Sequence, residues 1–388
     1  MKTRLIILNQ LDLPFFSQWL KKFSQSQDGI EYWNSDLSAD DLPHVKIRKS
    51  PRYNRNSTFG RFVAWIKYTW VCFWRLLWYP RKTPVFLTTT PPIAVIMMWI
   101  VYKIKKHPYV ILEWDIYPQI AHVMGMFSSR NPIYKIWYWL HGVALRNAHQ
   151  VIAISDGMAD VLREMAKQDI PLVVITNWAD THHFHPMERA NSPFAQAQGI
   201  TDQLVVSYSG NMGETHAIET LVELIKPLAH RKDILFLFNG KGSKRHIIDE
   251  AVASGAYPNL KLLDWIAYDE YPQFMACVDI SLITLASGYE KLSLPNRTYS
   301  SLASGSALLT ISDEPSDLAV MVRKHGCGEN FTADNTTGIV NWITALADDR
   351  AKLQALHDAS RHAAVSAYSE VICTAKLNGV LLGLLRHK

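Results

Sequence analysis

The chain is poor in the features that mark several large protein classes. Its four cysteines, Cys72, Cys277, Cys327 and Cys373, stand in no C-x-x-C spacing. This speaks against a zinc ribbon, an iron–sulfur site or a disulfide framework, and fits a reducing compartment. No apolar run approaches the roughly 18 residues that a spanning helix needs; the longest, Ile93–Tyr102, has ten. The start, MKTRLIILNQLD, turns polar too soon for a signal peptide. A cytoplasmic protein is expected. No internal repeat or low-complexity segment stands out. Acid is locally absent too: between Leu42 and Leu112 there is no Asp or Glu against 13 Lys or Arg.

What is present divides the chain in two. Its 388 residues, 48% of them hydrophobic, amount to about two domains with real cores. Residues 1–195 carry a net charge of +9 and the remainder −4, and 11 of the 13 tryptophans lie in the basic half. One well-mixed surface would not separate its signs in this way, so the first half faces something anionic and the second does not. Short Val/Ile/Leu runs alternate with helix-length stretches: LIILNQ, PVFLTT, YVILEWD, QVIAIS and LVVITN, then LVVSYSG, ILFLFNG, LKLLDW, ISLITL and ALLTIS. Continuous apolar strands separated by helices predict parallel sheets covered on both faces, hence an α/β chain of two doubly wound domains. A polar stretch with two prolines, about 186–201, is read as the linker. A helix from Tyr368 to Leu385 is long enough to cross back.

Three strand-end turns of the second half carry the chemical signal, because doubly wound sheets bind ligands at the carboxyl ends of their strands. The first is Gly210-Asn211-Met212-Gly213, leading to His216 and a helix start. The second is Asn239-Gly240-Lys241-Gly242-Ser243-Lys244-Arg245, whose glycines are too close together for an ATPase phosphate loop. Bases in the first turn of a helix oppose its dipole, which would be explained by an anionic partner. In the third, Ser293-Leu294-Pro295-Asn296-Arg297-Thr298, Pro295 is expected to open a helix, and Arg297 is suited to cradle a diphosphate. Asp115 follows strand YVIL in Glu113-Trp114-Asp115, so its carboxylate is expected to face a cleft, with Glu113 second. The histidines 182, 183 and 185 lack a carboxylate cluster, and no metal is expected.

In order, SYSGNMGETHAIETL, NGKGSKRH and LPNRTYSSLASGSALLTISDEPSDLAVMVRKHGCGENF resemble segments of bacterial retaining glycosyltransferases of the GT-B fold, family 4-like. The likeness is to the branch that builds surface polysaccharides and lipid-linked oligosaccharides. TTTPP, EWDIYPQIA, NAHQVIAISDGMADVL and ITNWADTHHFHP extend it into the first half, so that it covers about 85–388. The resemblance implies two Rossmann-like domains facing a cleft. Residues 1–190 with the returning helix 368–388 would bind the acceptor, and 198–367 the nucleotide-sugar. It implies donor contacts at Gly210, Asn211, Met212, Gly213, His216, Lys241, Trp265, Ser293, Pro295, Asn296, Arg297 and Thr298, catalytic roles for Asp115 and Glu290, and no cofactor or metal. The glutamate pair frequent in the family is absent, since its second member would fall near Ser300.

The stretch 61–79 reads as a helix rich in tryptophan between basic segments. Trp65, Lys67, Trp70, Trp74, Arg75 and Trp78 are expected at an anionic bilayer surface. The face is too apolar for nucleic acid. Together these features predict a peripheral glycosyltransferase on the inner membrane face, acting on a polyprenyl-diphosphate-linked sugar. A nucleotide-sugar epimerase of the same fold, or a scaffold that has lost its chemistry, is the alternative.

Overall fold

Branched aliphatic side chains fit both faces of a buried pleated sheet, and in the computed structural model the Val/Ile/Leu runs lie in two parallel sheets. The structure describes residues 3–37, 40–53, 58–213 and 216–386; Arg55 of the basic segment, and Glu214 and Thr215 after the first glycine turn, lie outside them. The chain divides into two units, Met1–Thr176 with Cys373–Lys388, and Asn177–Ile372.

Among the described residues, the first unit has seven strands: β1 (Leu5–Leu8), β2 (Ile30–Asn34), β3 (Val45–Lys49), β4 (Val85–Thr88), β5 (Tyr109–Glu113), β6 (Gln150–Ala153) and β7 (Leu172–Val174). Their order is β3-β2-β1-β4-β5-β6-β7, all parallel. The second has β8 (Leu204–Asn211), β9 (Ile234–Lys241), β10 (Leu260–Leu263), β11 (Ile280–Thr284), β12 (Ala307–Ile311) and β13 (Gly328–Phe331), in the order β10-β9-β8-β11-β12-β13. Each sheet reverses its direction of travel at the centre, between β1 and β4 and between β8 and β11. At such a point a doubly wound sheet opens a crevice beyond its carboxyl edge.

Ten of the thirteen strands are the apolar runs read from the sequence; β2, β3 and β13 are not. β2 buries a charge: Glu31 meets Lys46 Nζ and Arg48 Nε of β3, each at 3.0 Å, and also accepts from Thr3 and Tyr79. β3 is the edge strand and alternates apolar with basic. β13 begins at Gly328, where a Cβ would stand 1.8 Å from the Leu308 carbonyl oxygen. The stretch read as a linker is folded onto the second unit. Arg189 donates to the carbonyls of Thr201, Gln203 and Cys277 and to Asp279 at 2.6 Å, so one guanidinium organises a segment with no apolar pattern of its own. The last helix, Glu370–Arg386, packs on the first unit through buried Leu377, Leu381 and Leu384, with Trp19 Nε1 donating to Asn378 at 2.8 Å.

Burial alone would raise the Glu31 carboxyl, but hydrogen bonds from Tyr79, Thr3, Lys46 and Arg48 outweigh it and hold it at about 2. A depressed carboxyl stabilises the fold above its unfolded value near 4.5, and that contribution is lost as pH falls toward 2. Glu31→Gln is expected to cost about 1–3 kcal/mol at pH 7, the scale of hydrogen bonds to a charged group. The difference should shrink as pH falls below 4.5. Urea unfolding midpoints at both pH values check it, and equal midpoints at pH 7 contradict it.

Candidate functional site

Three loops leave the carboxyl edge of the second sheet at its reversal point, and two lie backbone to backbone. Gly210 pairs with Gly240 and Asn211 with Lys241. Met212 N donates to the Lys241 carbonyl at 2.9 Å, and Lys244 N to that of Met212 at 2.8 Å. Gly210, Gly240 and Gly242 have φ of +132°, +153° and +154°. A Cβ at Gly240 would stand 2.0 Å from the Gly210 carbonyl oxygen, and one at Gly242 2.3 Å from that of Met212. Both conformation and space therefore demand glycine.

Arg297 occupies the ground beside Gly210, where a Cβ would lie 3.0 Å from its Nη1. Nη1 donates to the Ser209 carbonyl at 3.1 Å, and the guanidinium carbon sits 4.1 Å from the centre of the Tyr208 ring, a cation–π contact. Nη2 lies 3.3 Å from His216 Nδ1, and the same nitrogen lies 2.7 Å from the Thr284 carbonyl. A ring nitrogen cannot donate to one and accept from the other at once. The carbonyl has no proton to give and its contact is the shorter, so Nδ1 donates to Thr284. Arg297 then approaches His216 without a hydrogen bond. Burial, followed by the Arg297 charge and a smaller push from Lys244, drives the imidazole down to about 3 against the Thr284 bond. His216 is neutral at neutral pH.

Around this cluster, Arg297 Nε, Thr298 Oγ1, Thr284 Oγ1 and Asn239 Oδ1 are buried without a hydrogen-bond partner. Buried polar atoms are nearly always paired, so this edge holds donors and acceptors that the fold's own packing leaves unused.

No protein-family model matches the chain. Among curated proteins, the probable glycosyltransferase WbjE of Pseudomonas aeruginosa is 23% identical over 362 residues, covering 90% of this chain and 88% of its own length. The putative colanic acid biosynthesis glycosyl transferase WcaI of Escherichia coli K12 is 23% identical over 169 residues, covering 43% and 41%. Of solved structures, sucrose-phosphate synthase of Thermosynechococcus elongatus superposes with a TM-score of 0.80 at 13% identity over the whole of both chains. Anabaena HepE in complex with UDP and glucose gives 0.73 at 15% identity, covering 98% of this chain and all of its own. The chain is a glycosyltransferase of the GT-B fold.

In this GT-B glycosyltransferase several expected residues stand elsewhere than the sequence suggested. Pro295 does not open the helix, which runs Arg297–Ala303. It sits in the preceding turn, with Thr298 N donating to its carbonyl at 3.1 Å. Asn296 accepts from Asn177, and Ser293 is half-buried in the loop before it. The Met212 side chain is core, leaving its backbone alone at the turn, and Gly213 accepts from His216 N at 3.1 Å. Lys244 pairs with Glu219 at 2.9 Å, and Arg245 donates to the Gly240 carbonyl at 2.6 Å. These bases, at odds with the helix dipole, thus meet the protein's own groups, while Lys241 is exposed. Trp265 follows the outer strand β10 and is 57% exposed. Glu290 turns back on its own loop, accepting from Gly288 N at 2.8 Å. Asp115 belongs to the first unit, at the end of β5, where Thr89 Oγ1 accepts from Trp114 N at 3.0 Å. Glu113 is wholly buried against His141 Nε2 at 2.8 Å.

The tryptophan helix spans Thr58–Leu77 and separates two faces. Trp65, expected at the membrane, is instead buried with Ala64, Tyr68, Cys72 and Leu76, its ring against Tyr117. Arg75 is drawn inward, donating to the Lys49 carbonyl at 2.9 Å and lying over Trp33. The outer face is the i, i+4 row Phe62, Ile66, Trp70, Trp74 and Trp78, with Lys67 exposed beside it. Sequence reading missed that a helix packed beside it, and the one packed beside that, also expose large apolar side chains. Ile100 and Ile104 on the neighbouring helix Ala94–Lys105, and Ile133, Ile136 and Trp139 on the next, Pro132–Asn147, are also exposed.

A neutral buried histidine makes a pH prediction. On unfolding, His216 regains an ordinary affinity for protons, so it costs stability as pH falls from about 6.5 toward 3, at up to about 1.4 kcal/mol per pH unit. His216→Gln should therefore lose less stability than the native chain between pH 7.5 and 4.5. Urea midpoints at the two pH values measure it, and an identical pH dependence contradicts it.

Proposed function

We propose that the enzyme moves a sugar, with retention, from a nucleotide-sugar on the second unit to a lipid-linked saccharide on the first, in polysaccharide assembly at the inner membrane face. The observation that carries the donor half is the Arg297 cluster: a half-buried guanidinium against the Gly210 turn, a neutral His216 that adds no competing charge, and unused buried polar atoms on the same edge. That the fold neighbour HepE was solved with UDP-glucose supports the reading. Departure of a nucleoside diphosphate builds negative charge on its oxygens. Arg297, fixed in advance against the Gly210 turn, stabilises that charge without a metal. Trp265, at the end of β10, offers a ring on which the base can stack.

Arg297→Ala is then expected to weaken binding of UDP, GDP or ADP, whichever the native protein prefers, by about 1.5–3 kcal/mol. Titration calorimetry measures it, and an unchanged dissociation constant places the diphosphate elsewhere.

The membrane half rests on the exposed row of the first unit, which carries apolar and indole side chains across three adjacent helices beside bases with no acid between Leu42 and Leu112. Indole rings favour the headgroup level, and each base contributes about 1 kcal/mol at an anionic surface. On vesicles of anionic phospholipid, replacing Trp70, Trp74 and Trp78 with Ser should remove the salt-resistant part of binding. Replacing Arg52 and Lys67 with Gln should weaken only the salt-sensitive part. Native protein that stays in the supernatant at low salt refutes this half and leaves the donor half standing.

A further inference from the structure

The crevice of the first sheet opens between β1 and β4, and its floor is unusually polar. Asn9, Gln10, Asn34, Thr88 and Thr89 are all buried there, at the carboxyl ends of β1, β2 and β4. Their hydrogen bonds run in one direction. Thr88 Oγ1 donates to Asn9 Oδ1 at 3.0 Å, and Asn9 Nδ2 donates to the Tyr32 hydroxyl at 3.0 Å. Asn34 Nδ2, which also donates to the Asn9 carbonyl at 2.9 Å, approaches the same hydroxyl at 3.3 Å. With both acceptor positions of the phenol taken, its proton has one place to go: Asp12 Oδ1, at 3.0 Å. The chain of donors ends on Asp12, and this last member is only partly covered, whereas the four beneath it are buried.

A surface carboxylate is normally solvated and free to rotate. This one is held in place by a phenol that is itself held by two amides, at the switch point where the fold receives ligands. From this we infer that Asp12 is an acceptor-binding residue: its carboxylate takes a hydrogen bond from a hydroxyl of the acceptor sugar. The inference rests on the reading of the first unit as the acceptor domain. It differs from the sequence's choice of Asp115, which lies two strands away from β1 in the sheet, after the end of β5.

The electrostatics agree. Burial, and then the charges of Asp36 and Asp41 after β2, push the Asp12 carboxyl up to about 6, against hydrogen bonds with Ser17 and Tyr32. An acid raised in the folded state opposes folding once it ionises. The cost of Asp12 to stability therefore builds from about pH 3.8 and is complete above about 6.

The test compares native protein with Asp12→Asn, which keeps an oxygen for Tyr32 and loses the charge. The acceptor probes are octyl β-glucoside, β-galactoside and β-N-acetylglucosaminide and their prenyl-diphosphate-linked counterparts, assayed from pH 5 to 8. The variant should lose at least tenfold in kcat/KM for the acceptor at pH 8, with donor KM within twofold. The limb near pH 6 should vanish from its profile, and its Tm at pH 8 should be no lower than the native one. Unchanged acceptor kcat/KM, or a loss explained by a fall in Tm, overturns the inference. Native protein that binds a nucleoside diphosphate yet transfers to no probe breaks the functional reading instead. Asp12 is then judged by direct titration of the octyl glycosides, where equal dissociation constants in the two proteins overturn it and a fivefold or greater loss in the variant upholds it.

Discussion

At the end of β9 a single methyl group on Gly240 would lie 2.0 Å from the carbonyl oxygen of Gly210. The two loops that leave β8 and β9 must therefore be bare backbone where they meet, and the rest of this edge follows. With no side chain at Gly210, Arg297 can bring its guanidinium against the turn and over Tyr208. Burial first, and then the Arg297 charge beside it, keeps His216 neutral, and its Nδ1 proton goes to the Thr284 carbonyl. A cation, a neutral imidazole and unpartnered buried side-chain polar atoms together make an edge suited to one polyanion. Such order costs conformational freedom in the glycine loops, and the continuous ladder between β8 and β9, carried through to Asn211 and Lys241, holds them.

The first unit solves a related problem by another route. Its switch point has no glycine turn after β1. Asn9-Gln10-Leu11-Asp12 stands there instead, and buried amides, a threonine and a tyrosine fix a carboxylate. The same unit leaves a row of tryptophan and isoleucine uncovered on three neighbouring helices. Polar atoms are buried at the edge and apolar atoms are exposed on the outer face. An exposed apolar face of this kind marks an interaction surface, and the proposed function assigns it to a lipid surface.

Much of the architecture was legible because parallel strands buried on both faces must be nearly all Val, Ile and Leu; that is why ten strands could be read directly. The missing three escaped for local reasons. β2 hides Glu31 behind charges of β3, which no hydrophobic pattern signals, and β13 is short and half-exposed. The Arg189 segment looked like a linker because its acceptors lie far away in sequence. At the site, the glycine turns and Arg297 were readable as strand-end features. Periodicity marked the tryptophan helix as amphipathic but could not say which face the sheet takes, so Trp65 and Arg75 were placed on the outside. Asp12 left no trace in the sequence, because its role depends on three residues brought from two other strands.

The central claim is that a nucleoside diphosphate sits on the Arg297 edge of the second unit. Amide hydrogen exchange of the native protein, with and without the diphosphate it binds most tightly, tests this directly. The account predicts slowed exchange at 207–213, 238–244 and 293–300, with the first unit little changed. Protection confined to other segments, or none at saturating ligand, would contradict it.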